Sequence, residues 1–461
     1  MKKNFLLICF IWLGVIAALA DNSLSVAYVS TTGSDSNAGT EQKPFRTIRK
    51  ALDSTSDQAL VVIRGGDYEE SINISQKSTR KTLTIKSYSG ERVRLLGGRR
   101  IDKGNKVAGY SKVLSASVEL PCVSPHYKIF QHDVDDKSTK IIPEERHPLQ
   151  RGKYYRCSST PLNCVASVEE VEQSKSPAYY YDATKKQLYF SIEEGTTLAE
   201  NPLYLPCGKG VYGGNHAIDL SIIGIEVLYA PFDLSRCSGA RIMDCAAMYA
   251  FAGGGFMYHM STGIEFIRCE AARSFTESGN GDGFNGHAHL LPGNHPMAKH
   301  TSVSLIDCWA HDNYDDGYSN HERCEGLVRG GLFEYNGKFG VNGGYGGHES
   351  AFGVIARHNR YGFAVCANVL EGEGGYASQM FVHNCIAEQN REAGYMVNTS
   401  ERVGENRNRM VLYDCYSLHN KIGFESQDDS RLELFNCMDY GSEIPSKGEV
   451  LIYDISPMSP Q

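Results

Sequence analysis

Five stretches of the chain, "RIMDCAAMYAFAGGGF", "EFIRCEAARSF", "SLIDCWAHDNYDDGY", "FVHNCIAEQNREAGY" and "VLYDCYSLHNKIGF", carry apolar and polar positions in the same order. Each opens on a short run of alternating character, reaches a cysteine, passes through a polar turn and resumes at an aromatic residue that glycine usually precedes. Alternation with a period of two predicts strands, and its recurrence as a unit predicts a solenoid whose coils pair with one another. Asn313, Asn390 and Asn420 stand five residues beyond Cys308, Cys385 and Cys415, and Asn336 and Asn359 hold the same place behind Gly331 and Val354. With coils about 4.8 Å apart, such amides predict a hydrogen-bonded ladder. Cys245, Cys269, Cys308, Cys385, Cys415 and Cys437 are then expected as a column of buried free thiols. Phe256, Phe284, Tyr318, Phe363, Tyr395 and Phe424 form the matching aromatic column.

Towards the N-terminus, "AYVSTTGSDSNAGTEQKPFRTIRKALDS" predicts a strand, a polar loop and an amphipathic helix from Pro44 to about Leu52, before the strands of "ALVVIRGGDYEE" and "TLTIKSYSGERVRLLGG". Between about 110 and 207 the repeat phase is lost, and "AYYYDATKKQLYFSI" predicts a hairpin with Asp182 to Lys186 in its turn. This segment is expected as a β-rich insertion beside the coils, with Cys157 and Cys164 close enough in sequence for a local disulfide. "LSIIGIEVLYA" re-enters the repeat. The stretches "YVSTTGSDSNAGT", "KPFRTIRKAL" and "VVIRGGDY" resemble the opening of secreted proteins of the pectate-lyase-like superfamily. That resemblance implies an all-β fold, a right-handed parallel β-helix with a short N-terminal capping helix.

Composition narrows the partners. The chain has 461 residues, 41% hydrophobic and 22% charged, with a formal net charge of -8 and no long run of one sign. This argues against a general binder of nucleic acid or of anionic membranes. The start "MKKNFLLICFIWLGVIAALADNS" has the lysines, apolar run and small residues of a secretory signal peptide cut after Ala20. Residues 1–20 are therefore expected to be removed, leaving 21–461 as one secreted or periplasmic domain, monomeric and without a membrane span. Of the 14 cysteines, 13 follow that cut, an odd number without the spacing of a disulfide-stapled scaffold.

Aligning coils on the Gly-aromatic step brings Asp282 over Asp316, Phe284 over Tyr318 and His287 over His321, with Asp315 as a third acid. If the strands are in register, the two carboxylates lie about 5 Å apart on one outer face. Like charges that close need a cation, a shared proton or a cationic neighbour. Oxygen ligands favour Ca²⁺, so Asp282, Asp315 and Asp316 are the candidate metal ligands. Turn chemistry alone would also repeat Asp-Gly, yet later coils carry Tyr361, Ala393 and Ile422 before the same glycine. Lys338, Tyr345, His348, Glu349, Glu371 and Glu373 are expected to border a substrate groove nearby.

The pair "GDGF…NYDDGY" resembles family nine polysaccharide lyases, which implies Ca²⁺ at the acids and a lysine base on the next coil. Two positions depart from that pattern: Ser319 stands where a further acid is expected, and Asn342 stands where the base belongs. Two mechanisms stay open for a polysaccharide substrate, with elimination favoured because the acidic triplet follows the Ca²⁺-lyase pattern. In β-elimination on a uronate chain, Lys338, His287 or His321 would be the base. In hydrolysis, Asp282 and Asp316 would serve as nucleophile and general acid, with a spacing of about 5 Å favouring retention; the fold also resembles β-helix glycoside hydrolases of fucose- or xylose-bearing plant polymers, which implies working acids on nearby coils. A third reading is a non-catalytic glycan-binding solenoid, with Tyr345 and Tyr376 stacking on sugars.

Overall fold

A computed structural model describes residues 24–74, 82–118, 130–132, 159–205, 210–214, 219–250, 253–274, 281–288, 301–344, 346–366, 377–398 and 407–453. Over these the chain winds as a right-handed parallel β-helix with three walls. The first wall is a 13-stranded sheet running from Ser25–Val29 to Val450–Tyr453. The second and third are 11-stranded sheets, running from Gly66–Tyr68 to Met438–Tyr440 and from Ile72–Asn73 to Ile444–Lys447. Neighbouring coils pair in parallel, as Phe284 with Tyr318 and Tyr395 with Phe424.

The corners explain the repeat. Between first and second walls the chain turns through one left-handed residue, Asp244, Arg268, Asp307, Asn384, Asp414 or Asn436, with φ between 50° and 53°. Asp and Asn adopt this conformation more readily than most residues. The cysteine that follows each one points into the core, and its thiol donates to the carbonyl two residues upstream, as Cys245 to Met243 (3.3 Å) and Cys415 to Tyr413 (3.2 Å). All six are free thiols; Cys437 is half-buried and the rest are buried.

At the next corner a second left-handed residue precedes each ladder asparagine. Asn313 Nδ2 donates to Asn336 Oδ1 (2.9 Å), Asn336 to Asn359 (3.0 Å), Asn359 to Asn390 (3.4 Å) and Asn390 to Asn420 (2.9 Å). The glycine of the Gly-aromatic step lies beneath this ladder. A Cβ on Gly317 would sit 2.8 Å from Asn336 Nδ2 and 2.7 Å from Gly340 O, so no larger residue fits. The aromatic that follows joins the core, with Phe256 stacked on Phe284 at 5.0 Å and Phe363 on Tyr395 at 5.1 Å.

The capping helix spans Ile48–Ser54, several residues later than expected. Thr47 sets its start by accepting the Lys50 N–H, while Phe45 still bridges to Val29 as extended chain. Ile48, Ala51 and Leu52 bury its apolar face against the first coils. Between Arg99 and Leu205 the chain builds two sheets off the coils, of four and five strands. One contains the hairpin Ala178–Asp182 with Gln187–Phe190. Tyr204 of the other sheet stacks on Tyr229 of the coils at 5.1 Å. Coil pairing continues across this excursion, since Thr82–Ser87 pairs directly with Asp219–Ile223. Cys164 is an exposed free thiol, and Cys157, its expected partner, lies outside the described residues.

Asn336 is 1% exposed and serves its neighbours as both donor and acceptor. Asn336→Ala strands several buried partners and is expected to lower stability by roughly 2–4 kcal/mol. Urea denaturation checks this, and a loss under about 0.5 kcal/mol would mean that the ladder contributes little beyond solvated amides.

Candidate active site on the third wall

The Gly-aromatic step turns two successive residues inward, so the residue before it and the residue after it both face out. In Asp282–His287 this sends Phe284 into the core and Asp282, Asn285 and His287 to the outer side. The next coil repeats the arrangement with Asp316, Ser319 and His321, and the one after with Phe339 and Asn342. From Phe339 onward the acid column becomes apolar, as Ala393 and Ile422 pack with Ala364 and Met396 in a cluster apart from the core.

Each carboxylate reaches to the following coil. Asp282 Oδ1 accepts the Asp316 N–H at 3.0 Å, and its Oδ2 accepts Asn285 Nδ2. Asp316 Oδ1 accepts the Phe339 N–H at 3.1 Å, and its Oδ2 accepts Asn342 Nδ2 at 3.1 Å. One oxygen from each of Asp282, Asp315 and Asp316 lies within 4.8 Å of the others. The expected registry is therefore present, with one correction. Asp282 and Asp316 are only 1% and 2% exposed, because they are folded down onto amides of their own strand and of the next coil rather than standing open in a groove.

That burial decides their chemistry. Desolvation, and next the charge of Asp316, holds the Asp282 carboxyl well above the usual carboxylate range. Asp316 is pushed up to about 7 by burial and by Asp315, against the opposing pull of Lys338, Ser319 and Asn342. Asp315 is raised by burial and lowered by Lys338. Lys338 is exposed beside this group, its backbone N–H on Asp315 O (2.9 Å) and its Nζ 4.7 Å from the Phe339 ring centroid.

The histidines stack along the axis as expected, His287 on His321 at 4.7 Å. His259 joins this column edge-on to His287, with ring centroids 4.8 Å apart and planes at 75°, a neighbour that the sequence reading missed. Its signal was available, since His259 follows Phe256 by the same three residues that separate His287 from Phe284. Each imidazole has its own partner: His259 Nε2 with Asn285 Oδ1 (2.7 Å), His287 Nδ1 with Glu322 Oε2 (2.8 Å) and His321 Nε2 with Ser319 Oγ (2.6 Å). Burial, and secondarily His287, depresses His321 to about 3, so it is a neutral ring. Asn285 and Glu322 also escaped the sequence reading, being ordinary polar residues until the coils bring them to the column.

The expected groove residues do not all join the acids. Glu349 is a correction: it points into the coil interior, 4% exposed and bonded to Tyr318 (2.6 Å) and Asn320 (3.0 Å), because the first-wall strand His348–Phe352 turns it inward. His348 is exposed on that same strand, pairing with Glu325 and Gln379 in the first wall, away from the acid column. Tyr345, Glu371, Glu373 and Tyr376 lie outside the described residues.

A family described as "Protein of unknown function (DUF1565)" matches residues 31–125. Over 142 residues the chain is 30% identical to the uncharacterized protein YwoF of Bacillus subtilis (strain 168). That match covers 29% of this chain and 27% of YwoF, so little more than a quarter of that relative is spanned. Among solved structures, the complex of XylC with xylose is similar at 12% identity and a TM-score of 0.49, covering 94% of this chain and 87% of the other. A structure titled "Glycoside hydrolase" is similar at 10% identity and 0.49, with 93% and 96% covered. Pectate lyase Pel9A is similar at 12% identity and 0.48, with 92% and 82% covered. At such identities no chemistry carries over, and the site is read from its own geometry.

With no cation bound, the folded protein keeps a proton on Asp316 that the unfolded chain releases near pH 4. Stability is therefore expected to fall as pH rises from about 4 to about 7. Asp316→Asn should flatten that slope in a series of thermal melts with chelator present.

Proposed function

We propose that the protein cleaves a uronate-containing polysaccharide by β-elimination on its third wall, with Asp282, Asp315 and Asp316 holding Ca²⁺. The observation that supports this most is the convergence of three carboxylate oxygens within 4.8 Å. Raised acids at such spacing gain most from a dication, which offsets both their burial and their mutual repulsion. Ca²⁺ takes about six to eight oxygens, so three carboxylates leave positions for water and for the carboxylate of a uronate. Bound there, the ion would neutralise that carboxylate and acidify the neighbouring carbon.

The chain's own residues supply the base. Lys338, exposed beside Asp315, is one candidate. His287 is a second, because Glu322 engages its Nδ1 and can orient the ring so that Nε2 is the accepting nitrogen. His321 is the weakest of the three, since a ring depressed to about 3 binds a proton poorly. Asn342 is spoken for as a donor to Asp316, which supports a base elsewhere. This reading takes the protein as exported and monomeric, with residues 1–20 as its signal peptide.

One observation favours hydrolysis instead. Asp316 at about 7 retains a proton near neutrality, as a general acid must, and a separation near 5 Å from its partner suits a retaining mechanism. Incubation with pectate, alginate and plant hemicelluloses, with and without chelator, separates the two. Elimination yields a chelator-sensitive, ultraviolet-absorbing unsaturated product, hydrolysis yields reducing sugar without that absorbance, and a glycan-binding solenoid yields neither.

Asp316→Ala is expected to lower turnover by at least about a hundredfold with the solenoid still folded. Wild-type rates in both Asp282→Ala and Asp316→Ala would remove this locus from consideration. Millimolar Ca²⁺ should raise the melting temperature more at pH 8 than at pH 5, where Asp316 holds its proton.

A further inference from the structure

The interior behind this site is polar. Tyr258 Oη donates to Asn320 Oδ1 at 2.9 Å, and Asn320 Nδ2 donates to Tyr318 Oη at 2.6 Å and to Glu349 Oε1 at 3.0 Å. Tyr318 Oη in turn donates to Glu349 Oε2 at 2.6 Å. Three glycines make room for this chain of bonds. A Cβ on Gly286 would collide with Asn320 and Tyr258, one on Gly326 with Glu349, Tyr318 and Asn320, and one on Gly343 with Glu349. Gly286 is what lets Tyr258 reach Asn320 past the coil between them.

The network grips one strand from behind. In Tyr318–His321 the side chains of Tyr318 and Asn320 face inward to Glu349, while Ser319 and His321 face outward and bond to each other at 2.6 Å. Cys324 Sγ also holds the His321 carbonyl at 2.7 Å. Tyr258 extends the grip to the coil that carries His259. We propose that Glu349 is a positioning residue for the third-wall site, fixing from inside the coil the strand that sets Ser319, His321 and, through ring stacking, His287. The proposal rests on the function proposed above for that site.

The titratable groups facing Glu349 are Tyr318, Tyr258, Cys324 and Glu325. Burial raises its carboxyl to about 8, so near neutrality the side chain is an uncharged acid whose Oε2 hydrogen donates to Tyr318 Oη, as a glutamine amide can, while the bond from Tyr318 to Oε2 belongs to the ionised form. Above that pH it ionises inside the coil.

The test compares Glu349→Gln, Glu349→Leu and Tyr318→Phe. Glu349→Gln is expected to stay within about twofold of wild-type kcat, whereas the other two should lose on the order of tenfold to a hundredfold in kcat with KM nearly unchanged. Folded Glu349→Leu and Tyr318→Phe at wild-type kcat would overturn the proposal. Histidine ring signals in NMR provide a readout that needs no substrate. The signals of His287 and His321 should move in Glu349→Leu and Tyr318→Phe but not in Glu349→Gln. In the wild type they should move again between about pH 7 and 9, a step that Glu349→Gln abolishes. Unmoved rings in both disruptive variants would refute positioning by Glu349. If the wild type turns over no polymer, the proposed reaction fails while the ring signals still decide this claim.

Discussion

Parallel pairing of each coil on the next is the constraint from which the other features follow. Backbone hydrogen bonds hold adjacent strands about 4.8 Å apart, so a residue type repeated at one phase becomes a column. The asparagine ladder, the thiol column and the stacked phenylalanines are three consequences inside the coil. The acids and histidines of the third wall are the same consequence on its outer face. No coil could hold Asp282 and Asp316 together by itself; the registry of Phe284 with Tyr318 does so.

The same geometry makes the acid group electrostatically costly, and that cost is what points to chemistry. Asp282 and Asp316 are taken out of water, and each satisfies its oxygens with amides of the wall itself. Those amides orient the carboxylates but do not neutralise them. The result is a group of three acids held above the usual carboxylate range, a cost that a bound cation would relieve. The neighbouring histidines differ in the opposite sense, with His321 held neutral by burial while His287 has a carboxylate partner.

Most of the fold was legible in the sequence because its causes are local and repeated. The cysteine after a left-handed corner residue, usually Asp or Asn, the asparagine five residues on, and the glycine that the ladder leaves no room to replace all recur at fixed phase. The site was legible where it shares that phase, as Asp282, Asp316, His287 and His321 do. His259 shares it too, but its coil has Gly254 where the others have an acid, so no Asp-Gly-aromatic step marks it. Glu349 was misread for a different reason. The alternation of His348–Phe352 puts it inside, but a glutamate in a glycine-rich stretch suggests a surface loop, and only the partners Tyr318 and Asn320, some thirty residues earlier, make its burial tolerable. Partners of that kind, including Glu322 for His287, are set by three-dimensional stacking and leave no mark in the local pattern.

The most direct measurement is a crystal structure of the protein soaked with Ca²⁺ and a short oligouronate. The account predicts an ion bound by Asp282, Asp315 and Asp316, with the sugar lying along the outer face of the third wall and one of its carboxylates on the ion. An ion or sugar seated on another wall, with these three aspartates in contact only with protein, would contradict it.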